Sequence, residues 1–193
     1  MKTKNKTKIR CAWVSDDPFY IDYHDKEWGR PIYDERLLFE FLNLEGMQAG
    51  LSWLTILKKR EHYRKVFNRF DAKKIVKYDS KKIAALLADP GIIRNRLKIQ
   101  AIITNAKAFL ALKAEGQSFS DYLWAFVNKT PIRAKLRTTR QLPTSSAISD
   151  QLSKDLKKRG FKFVGTTICY AFMQAVGMIN DHTEKCFCYR KER

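Results

Sequence analysis

The sequence contains no apolar run near the roughly 18 residues that a membrane-crossing helix needs, so a membrane span is excluded. Its basic N-terminus, MKTKNKTKIR, has no apolar segment behind it, so no secretory signal is expected there. There is no internal repeat, and no low-complexity stretch beyond that tail. Strand patterning is weak, with Phe161–Val164 the one candidate, so a sheet protein is not expected. Acids are scarce: 20 Asp and Glu stand against 38 Lys and Arg, a formal net charge of +18 over 193 residues. That balance points to polyanionic partners, nucleic acid or an anionic membrane surface, with a simple solubility charge as the bland alternative. What is present suffices for a packed core, since 45% of residues are apolar and 12% aromatic, so general disorder is excluded.

The basic residues cluster. Residues 58–82 and 94–107 are both rich in Lys and Arg, and the second stretch contains no acid. Such a surface releases counterions when it meets phosphates, which makes binding salt-dependent. Residues 1–9 read as a disordered basic tail, followed by one domain over 10–193. The remaining pattern is all-α, with roughly eight or more short helices. Asp34 caps a helix to about Gly46, and Gly46 and Gly50 bracket a break. A second helix carries Trp53 into the basic stretch. Asp71 and Ser80 cap short helices over 72–78 and 81–88, and a long helix runs from about Ile93 to Lys113. Residues 121–128 form another short helix, 129–144 a loop, 147–159 a basic helix capped by Ser146, and 166–176 a buried helix.

Three groupings carry chemistry. Residues 81–103 read as helix, Pro-Gly turn, helix, with Gly91 in the turn and Arg94, Arg96 and Lys98 beside it. The amides of the turn and of the following helix start would seat a phosphate. An ordinary corner between two helices is the competing reading. Cys11, His24, His182 and Cys186 are a possible closed metal site with two thiolates and two imidazoles. Their spacing alone is a weak signal, and Cys188 is a competing ligand, while Cys169 reads as core. The N-terminal third holds Trp13, Tyr20, Tyr23, Trp28 and Trp53, and with them in the sequence Glu45, a carboxylate in an apolar stretch. Flat rings with one acid suit a cationic ring. The alternative is that Glu45 merely caps or pairs with a nearby Lys or Arg.

The segments CAWVSDDPFYIDYHDKEWG, LEGMQAGLSW, DPGIIRNRLKIQAIITNA and KKRGFKFVGTTICYAFMQAVGMINDH, in that order over nearly the whole chain, resemble the 3-methyladenine DNA glycosylase I family. The resemblance implies a helix-hairpin-helix glycosylase fold, with a central lobe over about 45–125 and a terminal zinc lobe from 10–44 and 126–193 that joins the chain ends. It implies a monofunctional DNA repair enzyme of the base excision pathway, hydrolysing the N-glycosidic bond of 3-methyladenine and leaving an abasic site. It implies one structural Zn2+ on Cys11, His24, His182 and Cys186. It implies Glu45, Tyr23 and Trp53 in the nucleobase pocket, with Trp13, Tyr20 and Trp28 nearby, and Gln48, Gly50 and Leu51 on a loop that presses into the gap left by the extruded nucleotide. Glu45 is expected to carry the catalysis by accepting from the amino edge of the cationic base, with Tyr23 and Trp53 on its faces. The expected partners are double-stranded DNA with alkylated bases and the free base as product. A monomer in the cytoplasm, away from membranes, is expected. The long helix from 93 to 113 contains no carboxylate, so no acid of that helix is assigned to the chemistry. A binding module without catalysis, or a glycosylase for another N3-alkyl purine, are the competing functions.

Overall fold

The computed structural model describes residues 8–189. The expected tail at 1–9 thus falls mostly outside the described residues; Lys8 and Ile9 are exposed. The described residues form nine α-helices with a single pair of two-residue strands. Almost every helix begins at a residue whose side chain accepts a hydrogen bond from an amide of the first turn, the group a helix leaves unpaired.

Helix α1 spans Pro18–Lys26, with Asp17 as cap and Pro18 at its first position, where a missing N–H costs nothing. Asp34 caps α2, Glu35–Gln48. This helix is buried from Leu38 to Met47 and passes through Gly46 and residue 45 unbroken. The break expected between Gly46 and Gly50 is therefore only the turn after Gln48. The lobe edge drawn at residue 45 falls inside a continuous helix, which packs against α3 (Trp53–Val66), α6 (Arg96–Ala114) and α9 (Thr166–Ala175). Helices α4 (Ala72–Ile75), α5 (Ser80–Ala88), α7 (Phe119–Ala125) and α8 (Ala147–Lys158) complete the set.

Several boundaries differ from the sequence reading, each because a better cap lies nearby. Asp79, not Ser80, caps α5 by accepting from the Lys82 amide at 2.7 Å. Helix α6 starts at Arg96, not Ile93, because Asn95 accepts from the Lys98 amide at 3.0 Å while Asn95 itself is extended. Ser118 caps α7, which starts at Phe119, two residues before the expected Asp121.

Residues 161–164 are not a strand. They close the C-terminus of α8, where the Phe161 amide donates to Leu156 O at 3.0 Å. The segment is then pinned to α6 by Asn105, which accepts from the Lys162 amide at 2.7 Å and donates to its carbonyl at 3.2 Å. A side-chain amide thus takes the place of a neighbouring strand. The strands that do form, β1 (Ile132–Arg133) and β2 (Ile179–Asn180), pair in parallel. They tie the long 129–144 connection to the C-terminal segment, as does the Glu184 amide donating to Leu136 O at 2.8 Å.

Candidate active site and metal centre

Helices α1, α2 and α3 meet around a cavity of about 220 Å³. It is lined by Trp13, Tyr20, Tyr23, Trp28, Glu45, Gln48 and Trp53, and also by Leu142, Ala171 and Gln174. Asp17 and Pro18 start α1 so that Tyr20 and Tyr23 reach the cavity, while Ser52 starts α3 one residue before Trp53. A wider groove of about 930 Å³ lies along α2 and α3, but its walls are mostly charged and it has no aromatic lining, with Arg64 paired to Glu40 and Glu61 across it.

Glu45 is 4% exposed. It forms no hydrogen bond or ion pair among the described residues, so the reading of it as a mere cap or lysine partner fails. Burial alone pushes its carboxyl up to about 8, because a charge without partners is costly away from water. At neutral pH the Glu45 carboxyl is therefore mostly protonated. Burial, then the nearby Glu45 and Glu27, push the Tyr23 hydroxyl well above its ordinary value, so Tyr23 is a neutral wall. Tyr23 and Trp53 touch, with centroids 5.5 Å apart and planes at 55°. They are adjoining walls of the cavity. The N–H groups of Trp13 and Trp53 are buried without a hydrogen-bond partner.

Behind these walls the aromatic rings lead to the cysteines and histidines. Trp28 packs edge-on against His182 at 4.6 Å, and Trp13 against His24 at 5.4 Å. Cys11, His24, His182 and Cys186 are all buried, with candidate ligand atoms within 4.8 Å of one another. The Cys186 sulfur lies 3.4 Å from His24 Nε2 and 3.5 Å from His182 Nδ1, and the Cys11 sulfur lies 3.5 Å from His182 Nδ1. These are the edges of a tetrahedron with bonds of about 2.0–2.3 Å to its centre. The remaining ring nitrogens are held from outside: His24 Nδ1 by Asp25 at 2.8 Å, His182 Nε2 by the Trp28 carbonyl at 3.0 Å. Asp25 is in turn clamped by Arg10 at 2.7 and 2.8 Å. Such outer partners fix imidazole orientation in metal sites. Contacts from Cys11, Cys188 and the two imidazoles favour the Cys186 thiolate, while that thiolate and burial hold the Cys11 proton in place. The donor set and its geometry therefore fit a metal ion. Cys188 lies outside this set, near His24 and Asp25, and Cys169 is core.

The turn between α5 and α6 is gripped by α3. Asp89 accepts from the Gly91 amide at 2.8 Å and meets His62 Nε2 at 2.8 Å. Lys59 reaches Pro90 O at 2.8 Å, and the Ile93 amide donates to Tyr63 Oη at 2.9 Å. A Cβ at residue 91 would lie 2.3 Å from the His62 ring, so any other residue there must push His62 off its contact with Asp89. The turn amides expected to seat a phosphate are thus used internally. The exceptions are the amide of Arg94 in the turn and those of Arg96 and Leu97 at the helix start, positions a helix cannot satisfy itself. Arg94 and Arg96 are exposed. Lys98 is not: it is 8% exposed, and its Nζ donates to Met47 O at 2.8 Å and Ala49 O at 2.6 Å. The expectation of a phosphate contact there is corrected, because the ammonium is already occupied inside the molecule. Gln48, Gly50 and Leu51 form a tight loop closed by two bonds between Gln48 and Leu51.

The family pattern described as methyladenine glycosylase matches residues 13–189. The chain belongs to that family. Among its members, DNA-3-methyladenine glycosylase 1 of Escherichia coli strain K12 is 56% identical over 180 residues, spanning 93% of this chain and 96% of the relative. The Haemophilus influenzae DNA-3-methyladenine glycosylase is 53% identical over 179 residues, 93% of this chain and 97% of its own. A crystal structure of 3-methyladenine DNA glycosylase I superposes with TM-score 0.93 at 56% identity, covering 94% of this chain and all of that one.

Sequence reasoning missed two parts of this methyladenine glycosylase site. Leu142, Ala171 and Gln174 reach the cavity through the β1–β2 pairing and α9, which no local pattern announces. Glu40 could have been found by the argument used for Glu45, since both are carboxylates in one apolar run. It binds Arg60 at 2.7 Å and Arg64 at 2.7 Å, and Arg60 also holds Glu27 at 2.6 Å. That network fixes α2 and α3 to the end of α1 beside Tyr23.

Proposed function

We propose that the protein is a monofunctional DNA-3-methyladenine N-glycosylase, acting in base excision repair on double-stranded DNA and releasing the free base. The observation that carries the reading is Glu45: a buried carboxyl without partners, facing an aromatic cavity that a purine would occupy. N3-methylation gives adenine a positive charge and weakens its bond to the sugar. Extruding such a base from a damaged pair is cheaper than extruding a normal one. Once the base is in the cavity, Tyr23 and Trp53 pack against it. Trp13, Tyr20 and Trp28 close the pocket, and the indole N–H groups of Trp13 and Trp53 suit ring-nitrogen acceptors. The positive charge of the base draws Glu45 into its ionised form, where it accepts from the amino edge as a charge-assisted partner. A neutral adenine gives no such exchange, so Glu45 ties binding to base charge. Water then takes the anomeric carbon as the oxocarbenium-like state develops. No carboxylate lies on α6 and the Lys98 amine is occupied, which supports hydrolysis without a lysine Schiff base.

The α5–turn–α6 unit is read as the helix-hairpin-helix that holds the DNA backbone through Arg94, Arg96 and the first turn of α6, with Gly91 keeping the turn tight. Gln48, Gly50 and Leu51 present a loop to the gap left by the base. The central lobe and a terminal lobe share α2. Cys11, His24, His182 and Cys186 would hold one Zn2+ that fastens the two chain ends and, with four protein ligands, leaves no position for a reacting water. The proposed setting is the cytoplasm, with the protein acting as a monomer; among the described residues no helix is long and apolar enough to cross a membrane. Incubating the protein with methylated duplex DNA and identifying the released base tests the reading. Free 3-methyladenine and abasic sites are expected; DNA binding with no released base would leave a cationic binding module.

A further inference from the structure

Helix α2 ends without the usual means of satisfying its last carbonyls. It has no basic residue in its last turn, and no backbone amide closes it at Ala49. Such carbonyls carry the negative end of the helix dipole and need donors. The Gln48 carbonyl takes the Leu51 amide at 2.7 Å. The Met47 and Ala49 carbonyls take the ammonium of Lys98, which comes from a different helix, 49 and 51 residues further along the chain. Lys98 is also the residue whose amide is capped by Asn95, so it belongs to the first turn of α6. One side chain thus joins the start of α6 to the base of the Gln48–Leu51 loop. The loop tip is exposed at Gly50 and Leu51, and Leu97, next to Lys98 in the chain, is 67% exposed.

We propose that Lys98 is a positioning residue that locks the Gln48–Leu51 loop to the helix start gripping the DNA backbone, so that seating the backbone presents the loop to the gap left by the extruded nucleotide. The proposal rests on the glycosylase reading above. Lys98 touches neither base nor phosphate; its two carbonyl bonds transmit the register of α6 to the loop. One compact, three-donor ammonium meets both converging carbonyls; a guanidinium is bulkier and planar, so Lys98→Arg would change the spacing of the two carbonyls that Lys98 bridges.

Lys98→Met keeps the buried stem and removes the donors. The test compares it with the parent in four measurements: free 3-methyladenine binding by tryptophan fluorescence, the salt dependence of duplex binding, and single-turnover excision from a paired lesion and from the same lesion in an unpaired bulge. The expected results are free-base affinity within about twofold, an unchanged salt slope, and paired-lesion excision down roughly tenfold or more with a much smaller loss in the bulge, where little extrusion is needed. A salt slope smaller by about one would make Lys98 a phosphate contact and overturn the proposal. So would equal losses on both lesions, as a merely structural role predicts, or no loss at all. Should Lys98→Met not fold, Lys98→Arg carries the test. It keeps the charge, so the salt slope stays, and paired-lesion excision is expected to fall several-fold; a folded Lys98→Arg with parent excision on the paired lesion refutes the clamp. If the parent itself releases no 3-methyladenine, the glycosylase reading fails first, and that result is separate from these.

Discussion

Glu45 has a carboxyl held near 8 by burial alone, and its lack of partners makes it responsive to whatever enters the cavity. Its ordinary value is 4.5, so its folded-state value is raised. The folded state then binds the proton more tightly than the unfolded chain, and the stability this contributes is full below about 4.5 and is lost as pH rises through about 8. Binding a cationic base reverses the preference, because the base is attracted to the ionised form. Below about 8 the base must displace a proton. Single-turnover excision is therefore expected to rise with pH with a slope near one and to level off above about 8. A pH–rate profile flat between 6 and 9 would remove this coupling. Glu45→Gln should flatten the profile and lower excision by roughly 10²-fold, with affinity for undamaged DNA retained.

At the scale of elements, the network of Glu27, Arg60, Glu40 and Arg64 fastens the helices that present Tyr23, Glu45 and Trp53. Arg60 is buried with one nitrogen lacking a partner. Arg60→Met leaves Glu40 with fewer donors in the interior, and losing one side of such a pair costs about 3–5 kcal/mol. Chemical denaturation should show that loss; a variant as stable as the parent would show the network to be dispensable. Gly91→Ala drives a methyl into His62 and should loosen the α5–α6 turn, weakening DNA binding while leaving free-base binding intact, as gel-shift and fluorescence titrations would show.

These elements also show what could be read from sequence. Helix starts at Asp34 and Asp71 were legible because a short polar side chain before an apolar run has one local use. The four metal-site residues and the aromatic cluster around Glu45 were legible as residue types, with the family resemblance supplying their grouping. The burial of Lys98 was not, since a lysine that follows Arg94 and Arg96 at a helix start looks like a phosphate contact until the end of α2 is placed beside it. Phe161–Val164 looked like a strand for a similar reason: its partner is the side chain of Asn105, a distant residue. Leu142 and Gln174 reach the cavity only through long-range pairing, which periodicity cannot show.

At the scale of the molecule, Cys11 and His24 near one end of the chain meet His182 and Cys186 near the other, enclosing almost the whole chain. Closing so long a loop stabilises chiefly by restricting the unfolded chain. Metal analysis should find one zinc per chain, and strong chelation or Cys186→Ser should lower Tm while the protein that remains folded still excises. An active, folded preparation free of zinc would remove the metal from the account. The net charge of +18 predicts duplex affinity falling steeply with salt, independent of the pocket.

The central claim is that the cavity beside Glu45 receives the methylated purine. A crystal soaked with free 3-methyladenine tests it most directly. The account predicts the base against Tyr23 and Trp53, with its amino edge within hydrogen-bond distance of the Glu45 carboxylate. A closed cavity, or a Glu45 side chain turned away to a lysine, would contradict it.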